Sequence, residues 1–197
     1  MTLKSKVEQL EELKKLILKN QPCQELARTA NQLVFGSGNP DAEIVFVGEA
    51  PGKNEDIKGE PFVGASGKML DEMLSSINID RKEVYITNIV KYRPPENRDP
   101  TALEKAEFWP YLLKQIAIIK PKLIATLGRH SGQAFIESLR ISADHGKPKK
   151  VKLATEGAEE YMTVLPLYHP AAALYNGSLK QTLLKDFMSV SQLLKNN

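Results

Sequence analysis

The chain of 197 residues has one cysteine, Cys23, which excludes an internal disulfide and cannot by itself assemble a zinc or iron–sulfur site. It lacks an apolar run of about 18 residues, the length that crosses a bilayer. Its first twenty residues are charged where a secretory signal would be apolar. These absences predict a soluble, intracellular protein with no membrane partner. No G-x-x-x-x-G-K-[ST] occurs and no G-x-G-x-x-G follows a strand pattern, so neither common phosphate-cradling loop is present. Nor are there repeats, low-complexity tracts or an interdomain linker. One domain over residues 1–197 is therefore expected, with residues 1–22 forming an N-terminal helix that packs on it. Charge of one sign is scarce too: 27 Lys and Arg against 24 Asp and Glu leave a net +3, which allows nucleic-acid binding without requiring it.

What is present is apolar sequence, 42% of the chain, in a recognisable order. Leu3, Val7, Leu10, Leu13 and Ile17 recur at helical steps and predict an outer helix from Leu3 to Lys19. Four short β-rich runs, Glu43–Val47, Val84–Asn88, Lys122–Leu127 and Met162–Pro166, read as buried strands. Helical patterns lie around them at Ser66–Ile77, Pro100–Ile119, His130–Leu139 and Leu179–Leu194. Asp99 and Pro100 supply a start signal for the second of these, and Pro110 is expected to restart or kink it. Strands alternating with helices imply right-handed crossovers and a parallel sheet covered on both faces.

Open parallel sheets bind ligands beyond the carboxyl ends of their strands. Each strand pattern here ends in a polar or glycine-rich feature: Gly48-Glu49-Ala50-Pro51-Gly52, Asn88 leading into Lys91–Arg98, Gly128-Arg129-His130, and Tyr168-His169-Pro170. A purely structural sheet would not need all four. Phe62, between the glycines of Gly59–Gly64, is the aromatic nearest these loops. Alone, each feature has a structural reading: a tight turn, a core phenylalanine, a strand-ending histidine, an asparagine capping a turn. Lys147, Lys149, Lys150 and Lys152 crowd into a loop or strand edge, and on their own they read as a solvated surface. His130 and His145 fit no motif and are expected to be surface or packing residues.

The run VGEAPGKNEDIKGEPFVGASGKMLDEML, followed by YITNIVKYRPPENRDP and then LYHPAAAL, resembles the family 4 uracil-DNA glycosylases. The likeness extends from about Cys23 to the C-terminal helix. It implies an α/β fold, a three-layer α/β/α sandwich around a four-stranded parallel sheet, and a repair enzyme that flips uracil out of DNA and hydrolyses its N-glycosidic bond. Uracil-containing DNA would be the partner and a monomer the working form. The location would be cytoplasmic, and nucleoid-associated in a prokaryote.

Carried over residue by residue, the resemblance assigns Glu49 and His169 to catalysis and Gly48, Ala50, Phe62 and Asn88 to the uracil pocket. The residue types suit the task. Phe62 offers a stacking face, the Asn88 carboxamide can read the Watson–Crick edge of uracil, and His169 can stabilise the departing anion. Ala50 stands where the best-studied branch of the superfamily has a water-activating aspartate, so direct base catalysis from that position is excluded. Ala171–Leu174 would be the loop that enters the minor groove, with Leu174 as the wedge and Tyr175 beside it. Lys147, Lys149, Lys150, Arg93 and Arg98 would contact phosphates.

Members of that family hold a four-iron four-sulfur cluster through four cysteines. Here Cys23 occupies one position, while the others fall near Asn20, on Tyr92 and near Phe108. Three thiolates are missing, so no cofactor is expected, and Tyr92, Phe108 and Trp109 would fill the space. Two alternatives stay open at the sequence level: a glycosylase for another deaminated base, and a non-catalytic DNA-binding relative.

Overall fold

The structure is a computed structural model that describes residues 4–155 and 158–195. Six strands form one sheet: β1 (Ser37–Gly38), β2 (Ile44–Gly48), β3 (Tyr85–Asn88), β4 (Leu123–Leu127), β5 (Lys149–Thr155) and β6 (Ala158–Leu167), in the order β1-β3-β2-β4-β6-β5. The inner four are parallel, and β1 and β5 pair antiparallel at the two edges. The expected four-stranded parallel sheet is thus the centre of a larger mixed one. The edges escaped the sequence reading because β1 is two residues long and β5 is lysine-rich, the composition that protects an open edge from further pairing.

Nine helices accompany the sheet among the described residues: α1 (Lys6–Asn20), α2 (Gln24–Thr29), α3 (Lys53–Lys58), α4 (Ala65–Ser76), α5 (Ala102–Ile119), α6 (Arg129–Phe135), α7 (Ile141–Asp144), α8 (Pro170–Tyr175) and α9 (Gly177–Lys195). Alternation along the strands builds two cores. Val45, Val47, Tyr85, Ile124 and Val164 face one side, where they meet Leu13 and Ile17 of α1, Phe108, Leu112 and Ile116 of α5, and Phe135 of α6. Ile44, Phe46, Ile86, Leu123, Ala125 and Leu165 face the other, against Leu70 and Met73 of α4 and Leu183, Phe187 and Val190 of α9. Three layers follow, because strands apolar on both faces need a cover on each.

Local signals explain most boundaries and correct some expectations. Leu3 lies outside the described residues, and Val7, expected on the buried stripe of α1, is 57% exposed. The cap of α5 is Thr101, in a reciprocal capping box with Glu104, rather than Asp99. Pro110 neither restarts nor interrupts α5, which runs continuously through it with Phe108, Leu112 and Ile116 buried on one side. Residues 171–174, expected as a loop, belong to α8: Pro170 stands in its first turn, and the His169 side chain accepts from the Ala171 N–H.

Candidate active site

The inner strands end together, and β3 and β2 supply the floor of a pocket. In register, Gly48 sits beside Asn88. A Cβ on Gly48 would come within 2.2 Å of Asn88 Oδ1 and 2.8 Å of the Phe62 ring, so the bare backbone there lets both side chains lie across the strand end. Asn88 is 1% exposed, yet its Oδ1 has no hydrogen-bond partner. A buried, unpaired carbonyl costs about 1–3 kcal/mol, which a fold retains where a ligand satisfies it.

Phe62 is buried with φ 53°, a left-handed conformation that is costly for an aromatic residue. Two features hold it there. The Glu55 Oε1 accepts the N–H groups of Val63 (3.0 Å) and Gly64 (3.1 Å), and α4 packs so tightly that a Cβ on Gly67 would overlap the Phe62 carbonyl oxygen. Glu55 therefore shapes the loop from below, a role that no sequence motif announced. The Phe62 ring lies 5.6 Å from the His169 ring, tilted by 31°.

His169 closes the pocket from the end of β6. Gly128, with φ +102°, ends β4 next to it, and a Cβ there would come within 3.2 Å of His169 Cβ. Burial pushes the imidazole down from its ordinary range to about 4, against a weaker opposing pull from the Glu55 carboxylate. The ring is thus neutral at physiological pH. Its Nδ1 accepts the Ala171 N–H at 3.1 Å, so the proton sits on Nε2, which is left as a donor. Ala50, Gly52, Glu55, Phe62, Ser66, Asn88 and His169 enclose about 190 Å³.

A second chamber of about 240 Å³ adjoins this pocket through Ala50, Gly52 and His169 and includes Glu49, Asp99, Arg98 and His130. Glu49 Oε1 lies 3.0 Å from Lys105 Nζ and 3.5 Å from His130 Nδ1. His130 Nε2 is 3.4 Å from Asp99 Oδ2 and 3.1 Å from Arg129 Nη2. His130 is thus not a bystander, as its sequence context suggested, but a wall of the chamber.

The catalytic and pocket candidates, Glu49, Gly48, Ala50, Phe62, Asn88 and His169, converge. The other candidates are more dispersed. Arg98 lines the outer chamber but is engaged by Glu104 at 2.6 and 2.9 Å. Arg93 Nε donates to Asn97 (2.8 Å). Lys147 donates to the Ala143 carbonyl (2.8 Å), Lys149 pairs with Asp144 (3.0 Å) and Lys150 donates to Thr163 (2.8 Å). Leu174, at the far end of α8, is 37% exposed, and Tyr175 beside it is 91% exposed.

The positions that would ligate an iron–sulfur cluster also meet, but with different chemistry. Burial, and after it the Glu107 and Glu104 carboxylates, push the Cys23 thiol up to about 12, which is opposed to thiolate ligation. Asn20 donates to the Tyr111 hydroxyl (3.0 Å), and the Tyr111, Phe108 and Tyr92 rings follow at centroid spacings of 6.4 and 5.8 Å. Trp109, expected in this plug, instead packs edge-on against Phe135 at 5.0 Å. One protonated thiol among carboxylates and aromatic rings does not fit a four-iron four-sulfur cluster.

Residues 35–189 match the model of the uracil DNA glycosylase superfamily. The chain is 44% identical over 192 residues to a type-4 uracil-DNA glycosylase of Archaeoglobus fulgidus, covering 95% of this chain and 94% of that one. It is 44% identical over 193 residues to the type-4 enzyme of Sulfurisphaera tokodaii, covering 95% and 86% of the two chains. With the type-4 enzyme of Thermotoga maritima the identity is 39% over 165 residues, 83% of each chain. Among the described residues, no helix is long and apolar enough to cross a membrane.

Proposed function

Because the chain belongs to the uracil DNA glycosylase superfamily, we propose that its 190 Å³ pocket receives a uracil flipped from DNA and that the enzyme hydrolyses the N-glycosidic bond, leaving an abasic site. The observation that carries this reading is the buried, unpartnered Asn88 Oδ1 beside a neutral histidine. Oδ1 accepts from uracil N3–H and the amide nitrogen donates to O4. Cytosine presents the reverse pattern, and each unsatisfied group it would leave costs about 1–3 kcal/mol. Phe62 supplies the stacking face.

Cleavage moves electrons from the glycosidic bond onto the base. His169 Nε2–H donates to O2, where the negative charge develops, and does so without first losing or gaining a proton. Water then attacks C1′ of the cationic sugar, oriented by Glu49 because Ala50 has no acid–base group. The chain performs these steps without an iron–sulfur cluster, with the Asn20–Tyr111–Phe108–Tyr92 packing in its place. Leu174 and Tyr175 at the tip of α8 enter the vacated stack, and Arg93, Arg98, Lys147, Lys149 and Lys150 exchange their internal partners for DNA phosphates on binding.

The test is incubation of the purified protein with labelled oligonucleotides bearing U, hypoxanthine, xanthine or T, followed by alkali. Strand scission at U is the expected result. Scission at hypoxanthine or xanthine alone would assign another base, and none at any base would leave a binding protein. Iron analysis of the same preparation should find no stoichiometric iron. About four irons per chain with absorbance near 400 nm would overturn the cluster-free reading.

A further inference from the structure

His130 stands apart from every motif, yet three separate parts of the fold bring charged groups to it. Glu49 comes from the end of β2, Asp99 from the segment before α5, and Arg129 from its own helix α6. Side-chain ligand atoms of Glu49, Asp99 and His130 lie within 4.8 Å of one another, a spacing that a divalent ion could use. Lys105 Nζ already sits 3.0 Å from Glu49 Oε1 and the Arg129 guanidinium 3.1 Å from His130 Nε2. Two cationic side chains therefore occupy the positions from which a metal would be repelled. The cluster makes better sense as a device that orients a carboxylate.

The tautomer follows from the partners. Arg129 can only donate, so the tautomer that pairs with it has Nε2 as acceptor and the ring proton on Nδ1, which faces Glu49 Oε1 at 3.5 Å; the Asp99 carboxylate, 3.4 Å from Nε2, is then held through the same Arg129 charge rather than by the ring. Glu49 Oε1 is buried and has no partner in hydrogen-bond alignment, although Lys105 is close. A lysine is a flexible point charge that attracts the carboxylate without fixing its plane. A ring N–H on a short side chain defines a direction, and with Oε1 drawn to Lys105 and His130, Oε2 is the oxygen left to face the chamber.

We propose that His130 is a positioning residue for the hydrolytic step: its Nδ1, 3.5 Å from Glu49 Oε1 and not in hydrogen-bond alignment with it before substrate binds, closes on that oxygen in the DNA complex so that the free carboxylate oxygen orients the water that attacks C1′. The inference deepens the base-excision reading and rests on it. As the water's oxygen bonds to C1′, the electron pair of the glycosidic bond has left with uracil, and the water's surplus proton passes to the Glu49 carboxylate. His130 keeps its own proton throughout.

The test is single-turnover cleavage of a uracil oligonucleotide by His130→Ala, His130→Asn and the Glu49→Gln and Glu49→Gln/His130→Ala pair, with DNA affinity measured in parallel. His130→Ala should cut the rate about 10- to 100-fold, the scale of a misplaced reacting group, with unchanged affinity. His130→Asn, whose amide N–H can occupy the Nδ1 position, should recover most of the loss. On a Glu49→Gln background, His130→Ala should cost little more, because both act on one water.

A wild-type rate in His130→Ala would overturn the proposal, as would a fully additive double mutant. Loss in His130→Asn equal to that in His130→Ala, with both variants folded by circular dichroism, would also overturn it, because the histidine would then act by exchanging a proton. Inactive wild-type protein would sink the base-excision reading itself, an outcome distinct from all of these.

Discussion

Thr87 and Asn88 are neighbours on β3 that point to opposite faces of the sheet, and their surroundings differ in kind. Around Thr87 the polar groups are matched to one another. Thr87 Oγ1 donates to the Phe35 carbonyl (2.9 Å), Gln115 Nε2 donates to the same oxygen (3.0 Å), and Lys91 Nζ reaches Thr87 Oγ1, the Asn88 carbonyl and Gln115 Oε1 at 2.6, 2.7 and 2.5 Å. On the Asn88 side a carbonyl oxygen, equally buried, has nothing to accept. Both regions are costly to desolvate, but only one recovers that cost within the protein. Burial of polar groups alone therefore does not mark the working face. Incomplete pairing at a pocket wall does: Asn88 Oδ1 and Glu49 Oε1 line the two chambers, whereas Thr126 Oγ1, also unpaired, lies on the Thr87 face and lines neither.

The largest effect that would sharpen this contrast is expected from His169→Ala. Removing one donor to the developing anion should lower single-turnover cleavage about 10²–10³-fold while DNA affinity changes little. A full rate would mean that the pocket has been wrongly assigned. Next, Asn88→Asp removes the donor to O4. Uracil cleavage should fall strongly, and any surviving activity should shift toward cytosine, which a protonated carboxyl can match. Normal uracil cleavage by this variant would show that the unpaired oxygen has no part in reading the base.

His169 also predicts a pH dependence of stability. Its folded value of about 4 lies below the ordinary imidazole value of 6.5, so as pH falls through this window the unfolded chain takes up a proton that the folded one refuses. The corresponding stability is present above about 6.5 and lost on the way to about 4, on the order of 3 kcal/mol. Denaturant titrations should show that loss in wild type and its absence in His169→Gln. Parallel curves for the two proteins would argue against a buried neutral ring.

On the matched face, Lys91→Met leaves the Asn88 and Gln115 acceptors without their donor. It should destabilise by about 1–3 kcal/mol, with the cleavage rate of the folded fraction affected far less than by His169→Ala. Abolished cleavage at unchanged stability would break the distinction between the two faces. The smallest effect is expected at the sheet edge. Replacing Lys149 and Lys150 by alanine should weaken DNA binding similarly for all sequences and flatten its logarithmic salt dependence by about one unit per lost phosphate contact. An unchanged slope would leave these lysines to Asp144 and Thr163.

Much of the molecule was legible in its sequence, and for local reasons. The four inner strands and the long helices α4, α5 and α9 follow from hydrophobic period and turn chemistry, which operate over a few residues. Glu49, Asn88 and His169 were conspicuous because each follows a strand run directly, and strand ends in a parallel sheet point to one rim. Less conspicuous were residues whose meaning depends on a distant neighbour. Glu55 carried no signal of its own until the loop of Phe62 folded over it, and Trp109 adjoined the aromatic plug in sequence but turned toward Phe135.

The sequence by itself therefore determined the succession of the inner strands and long helices along the chain, the family resemblance and the chemical inventory of the pocket. Only the tertiary structure decided the antiparallel edges, the proton position on His169, and the convergence of His130 on Glu49 and Asp99. The physical reason is that periodicity and capping are encoded within a turn or two of chain. Protonation states and hydrogen-bond partners depend instead on burial and on groups that crossover connections bring together from far along it.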